Sequence, residues 1–130
     1  MELCNGGDLE THISNLPNKQ LPIKIVGNIF LQMCFALHTV QDRLKLRHYD
    51  LKLLNWFGEL SGVDTNCLHY HHSGLSFQCL LADPGNLVVK LADLGTVDCC
   101  ASTLNEPINT RQFTTWENVP VRLRCCFLLI

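Results

Sequence analysis

Charge is what this 130-residue chain has least of: Asp, Glu, Lys and Arg make up 17% of it, where a globular domain usually carries about 25%. Ten basic residues against twelve acidic ones give a formal net charge of −2, and no Lys or Arg cluster is interleaved with aromatics. This excludes the electrostatic footprint of a nucleic-acid binder, so no nucleic acid is expected as a partner. No apolar run approaches the roughly 18 residues that a span requires, and no membrane is expected either. Repeats, low-complexity tracts and interdomain linkers are missing, which points to one domain. The eight cysteines, Cys4, Cys34, Cys67, Cys79, Cys99, Cys100, Cys125 and Cys126, lack Cys-x-x-Cys spacing. They read as apolar packing residues and free thiols, with no disulfide framework.

What is plentiful is apolar: 47% of the residues are hydrophobic, enough for a packed core. From Leu21 to about Arg43, Ile25, Val26, Ile29, Met33, Leu37 and Val40 recur at three- and four-residue spacing, which predicts a long helix with Pro22 in its first turn. His38 reads as a core or helix-end histidine. Asn15 to Gln20 reads as a polar loop before this helix. Further on, Cys67 to His71 and Leu75 to Leu81 flank a His72-Ser73-Gly74 turn and predict a β-hairpin. Asp83-Pro84-Gly85-Asn86 is a turn by composition, and Leu87 to Ala92 is a strand. Cys67, His69, His71, His72 and Cys79 are zinc-ligand types, yet alternate strand residues face opposite ways and the spacing fits no standard site. The expected fold class is α+β.

The chemistry-bearing segment is His48-Tyr49-Asp50-Leu51-Lys52-Leu53-Leu54-Asn55, with Ala92-Asp93-Leu94-Gly95 beginning 37 residues after that asparagine. Two carboxylates, a lysine and a carboxamide in this order resemble the protein-kinase catalytic loop, His-Arg-Asp with Lys two and Asn five residues past the Asp, followed by Asp-Phe-Gly. Tyr49 and Leu94 depart from that pattern. Upstream, Met1-Glu2-Leu3-Cys4-Asn5-Gly6-Gly7-Asp8 resembles a kinase hinge. The resemblance covers essentially the whole chain and implies a partial kinase C-lobe: hinge over 1–10, helices D and E with helix E over 21–45, catalytic loop over 46–57, an inserted hairpin over 58–86, and the Asp-Leu-Gly strand with the activation segment over 87–122. An ordinary kinase passes from the asparagine to the second aspartate in about a dozen residues, and the longer path here resembles haspin-like and some viral or protist kinases.

The roles that follow are those of the family. Transfer of a γ-phosphoryl group is catalysed by positioning and placed charge. Asp50 is expected to orient the attacking hydroxyl, Lys52 to neutralise the phosphate, and Asn55 and Asp93 to hold Mg2+, with Thr115, or else Thr114, bonding Asp50 and Lys52. Met1 as gatekeeper, the Glu2 to Cys4 backbone on adenine and Asp8 on ribose make up the expected ATP site. Lysine two residues after Asp50 is the serine/threonine variant. The partners implied are a protein substrate and the missing N-lobe and lower C-lobe, whose absence also accounts for the low surface charge and predicts an inactive fragment. Past Thr115, Pro120 is kept where the family has Ala-Pro-Glu, and the glutamate is lacking. A kinase implies a reducing intracellular setting, cytoplasmic or nuclear. The alternative is a pseudokinase or truncated remnant that acts only as an interaction module.

Overall fold

The computed structural model describes residues 3–60, 67–72, 74–80 and 87–97. Within them the chain is α+β: helix α1 (Leu9–Ser14), helix α2 (Ile23–Leu44), strands β1 (Trp56–Leu60), β2 (Cys67–His72), β3 (Leu75–Leu80) and β4 (Leu87–Leu91). Short 3-10 turns stand at Pro17–Lys19, Leu53–Asn55 and Leu94–Thr96. The first of these interrupts the stretch expected to be loop, and both Asn18 and Lys19 take positive φ there.

Helix α2 begins one residue past Pro22, which caps it from outside, and stops where Lys45 turns left-handed. Its inner residues Ile29, Met33 and Leu37 pack with Leu9 of α1 on Trp56, Leu87 and Val89. These strand residues share one face because β1 and β4 run antiparallel with Trp56 opposite Leu91, Gly58 opposite Val89 and Leu60 opposite Leu87. At Gly58 an added Cβ would lie 2.7 Å from Leu87 Cδ1, so glycine is what lets the ribbon lie flat under that leucine. On the other face Lys90 pairs with Glu59.

A two-stranded ribbon leaves both edges with unpaired backbone groups, and two carboxamides close them. Gln32, 1% exposed, accepts from Val89 N at 2.8 Å and donates to Leu87 O at 3.0 Å along the β4 edge. Asn5 does the same for β1, accepting from Leu60 N at 2.7 Å and donating to Leu60 O at 3.3 Å. Gly6 and Gly7 continue that edge by exchanging backbone hydrogen bonds with Gly58 at 2.9 and 2.8 Å. The glycine pair thus makes a strand-like contact with β1.

The expected hairpin is present as β2 and β3, with Tyr70 opposite Phe77. It leans on α2 through aromatic rings: Phe35 stacks on Tyr70 with centroids 4.3 Å apart and meets Phe77 at 5.4 Å. Gly58, Glu59 and Leu60 pair with Val89, Val88 and Leu87 and so belong to β1. The turn expected at residues 83–86 lies outside the described residues.

The expectation of no span-length apolar segment is corrected by α2. Among the described residues this one helix of 22 residues is long and apolar enough to cross a membrane, by length and composition only. Its outward side is also apolar, with Ile23 83% and Phe30 63% exposed. A helix apolar on both sides is the kind that sits inside a larger body.

Candidate active site

The site forms where the segment after α2 meets the end of β4. Leu46 is buried, as are His48, Asp50 and Asn55, each 5% exposed or less among the polar three. Burial of three polar side chains is costly unless each finds partners, and the side chains of Asp50 and Asn55 find theirs in the local chain. Asn55 Nδ2 donates to Asp50 O at 2.9 Å and to Asp50 Oδ2 at 3.1 Å. Only the nitrogen end of a carboxamide donates, so the Asn55 oxygen is left to face away from Asp50. Lys52 Nζ lies 2.9 Å from the same Asp50 Oδ2. That hydrogen bond holds the Lys52 ammonium above the usual lysine range, against a smaller opposing desolvation, with the charges of Asp50, Asp93 and Glu10 adding to it.

The second half of the site is tied to the first through backbone. Ala92 N donates to Asn55 O at 2.9 Å, which brings the residue before Asp93 against the residue that carries the carboxamide. Asp93 then turns left-handed, with φ 55, and its Oδ1 accepts from Gly95 N at 3.3 Å. Tyr49 beside Asp50 is left-handed as well, with φ 63. Two non-glycine residues in this region, each costing about 1–3 kcal/mol, flank or form the carboxylate pair, the sort of place where strain collects at functional sites. Arg47 Nη1 donates to Tyr49 OH at 3.4 Å, so a guanidinium lies next to the position where the family pattern has its arginine.

Two contributors were not assigned roles by sequence. His48 Nε2 bonds Ala92 O at 2.9 Å, and Thr96 Oγ1 donates to His48 O at 2.8 Å. Their partners are 44 and 48 residues apart in sequence, a distance over which no local spacing carries a signal. His48 stood inside the motif and was the one legible hint.

Of the other expected site residues, Asp8 is the N-cap of α1, its Oδ1 accepting from Thr11 N at 2.8 Å. That bond is the main reason its carboxyl sits below the ordinary value of 3.8. Cys4 O accepts from Gly7 N at 3.3 Å. Met1, Glu2, Thr114, Thr115, Pro120 and the cysteines from Cys99 onward lie outside the described residues.

Among the described residues no group of three or more His, Cys, Asp or Glu is arranged to hold a metal ion. In the hairpin, His71 Nδ1 instead bonds Ser76 Oγ at 2.9 Å. Asn55 and Asp93 fit a different demand. Both carry side-chain oxygens, the hard donors that suit Mg2+ keeping waters and phosphate oxygens as its remaining ligands, and the Ala92 N to Asn55 O bond brings their backbone segments together. A largely apolar cavity of about 310 Å3 is lined by Phe30, Met33, Leu37, Leu51, Lys52 and Trp56.

No family model matches the chain. A curated relative, the serine/threonine-protein kinase Nek3 of Mus musculus, is 24% identical over 137 residues. That alignment takes in 95% of this chain and 27% of Nek3, so the chain spans about a quarter of the length of the relative it matches. The similarity and the mixed helix-strand fold support a kinase-like relationship.

Proposed function

We propose that the chain is the hinge and upper C-lobe of an ATP-dependent serine/threonine protein kinase that transfers the γ-phosphate of MgATP to a protein hydroxyl. The observation that carries this reading is the sharing of one buried carboxylate, Asp50, by Lys52 and Asn55, with Asn55 O in turn bonded to the residue before Asp93. Residues 1–10 then act as hinge, α2 as helix E, and residues 93–122 as activation segment.

In this mechanism Asp50 accepts the hydrogen bond of the substrate hydroxyl and aims its oxygen, a positioning task that sets much of the rate. Lys52, already close to Asp50, swings its ammonium toward the incoming phosphate and screens the two negative groups from each other. Asn55 and Asp93 are the residues that would hold Mg2+ through their side-chain oxygens. Bound there, the ion would neutralise charge on the phosphates. Thr115 steadies Asp50 and Lys52, and Met1, Glu2, Cys4 and Asp8 meet adenine and ribose. The free thiols of Cys4, Cys34 and Cys67 accord with an intracellular, reducing setting.

The test is Mg2+-dependent labelling of serine or threonine on a protein acceptor by the full-length protein that carries these residues. Asp93→Asn is expected to abolish labelling while circular dichroism and the unfolding midpoint stay unchanged. Wild-type protein that is folded yet transfers no phosphate to any acceptor contradicts the reading and assigns the chain to an interaction module.

A further inference from the structure

Asp93 is held from both sides by a single residue of the opposite loop. His48 sits in the centre of the segment that presents Asp50, and it is buried. Its side chain reaches Ala92 O, immediately before Asp93, and its own carbonyl receives the Thr96 hydroxyl, three residues after Asp93. A carbonyl only accepts, so the hydrogen on the His48 ring is at Nε2. The other nitrogen, Nδ1, is buried and has no hydrogen-bond partner among the described residues. The imidazole thus contributes one bond to the join between the two loops, and the Thr96 hydroxyl contributes the second.

The stretch that needs holding is short and exposed. Leu94–Thr96 is a single 3-10 turn, Leu94 is 59% exposed, and the bond from Gly95 N to Asp93 Oδ1 is a long 3.3 Å. Asp93 nonetheless keeps a left-handed backbone, which a non-glycine residue adopts only when its neighbours are fixed. Thr96 fixes the C-terminal side by a 2.8 Å bond. Tyr49 beside Asp50 carries a phenol, which lacks the two-pronged donor of an arginine.

We propose that Thr96 is a positioning residue whose hydroxyl, bonded to His48 O, locks the Asp93 turn against the Asp50 loop. The consequence for metal binding and turnover rests on the kinase reading; the lock itself rests on the geometry alone. The hydroxyl sets where the Asp93 oxygens stand relative to Asn55, so its loss lowers the grip on Mg2+ more than the grip on protein substrate.

Two variants of the full-length protein separate these claims. Thr96→Val keeps the β-branch and removes the hydroxyl, and Thr96→Ser keeps the hydroxyl and removes the methyl. Amide hydrogen exchange in peptides covering residues 92–97 is expected to quicken at least tenfold in Thr96→Val and to return toward wild type in Thr96→Ser. The Mg2+ concentration for half-maximal turnover is expected to rise fivefold or more in Thr96→Val, with the KM for protein substrate unchanged and with rescue by Thr96→Ser. Unchanged exchange in Thr96→Val, or quickened exchange that Thr96→Ser fails to reverse, overturns the proposal. Quickened and rescued exchange in a protein without phosphotransfer upholds the lock and counts against the kinase reading alone.

Discussion

Gln32→Leu is the sharpest test of how the ribbon is held to α2. Leucine approximates the volume of glutamine and keeps its helix propensity, so the change isolates the carboxamide. Gln32 is 1% exposed, and removing its two ends strands Val89 N–H and Leu87 C=O at a buried edge. Each unsatisfied buried group costs about 1–3 kcal/mol, which gives about 2–6 kcal/mol for the pair. The bond from Gln32 to Asn28 is also lost, but half-exposed surroundings let water replace it. Burying an apolar side chain in place of the amide returns about 1–2 kcal/mol. The net is a destabilisation centred near about 2–3 kcal/mol within a span of about 0–5, a large part of the 5–15 kcal/mol that holds a typical domain. Urea unfolding followed by tryptophan emission reads this directly, because Trp56 is buried in the same core. The midpoint should fall with the slope unchanged, and the Val89 amide should exchange faster than amides on β1. A stability change under about 0.5 kcal/mol with Val89 protection intact, well below the cost of even one orphaned group, refutes the edge-closing role.

Three further outcomes follow from single contacts. Gly6→Ala places a Cβ 2.7 Å from the backbone oxygen of Gly58, whereas Gly58→Ala meets only the movable end of Leu87 at the same distance; thermal unfolding should therefore show the larger loss for Gly6→Ala, with about 1–3 kcal/mol for Gly58→Ala, and the reverse order would contradict the pairing of residues 6–7 with β1. Asp8 has a depressed folded-state pKa, so the stability from its cap is present above the ordinary value of 3.8 and is lost as pH falls through the lower folded value; the Thr11 amide should lose protection in that acid range in wild type and not in Asp8→Asn. Phe35→Ala removes a ring stacked on Tyr70 and tilted against Phe77, and the aromatic pairing alone is worth about 0.5–1.5 kcal/mol per pair; proteolysis within residues 61–86 should speed up while the β1–β4 core, read by Trp56 emission, stays folded.

Much of this was legible in sequence because it was local. The α2 helix followed from apolar spacing, and the hairpin from alternating runs around Gly74, since both patterns are set by backbone geometry over a few residues. The Asp50, Lys52 and Asn55 cluster was legible for the same reason, being carried by six consecutive residues. What escaped detection depends on chain returning from far away. Asn5 and Gln32 read as ordinary polar residues until strands 55 residues off in sequence present their edges. The true end of β1 at Leu60 was hidden because only its register with Leu87 defines it. His48 and Thr96 became contributors through bonds that no spacing rule anticipates.

The central claim is that Asp50 aims an attacking hydroxyl at a phosphoryl group. Steady-state turnover of the full-length protein with Asp50→Asn measures this most directly, because asparagine keeps the shape and the contact to Asn55 while it gives up the charge that orients the hydroxyl. A fall in kcat of about 10²–10⁴-fold, the usual worth of a positioned acid or base, with the KM for ATP within about twofold, is the expected result for a group acting in the transition state. Turnover within about threefold of wild type, a barrier change under about 0.7 kcal/mol, would contradict the account.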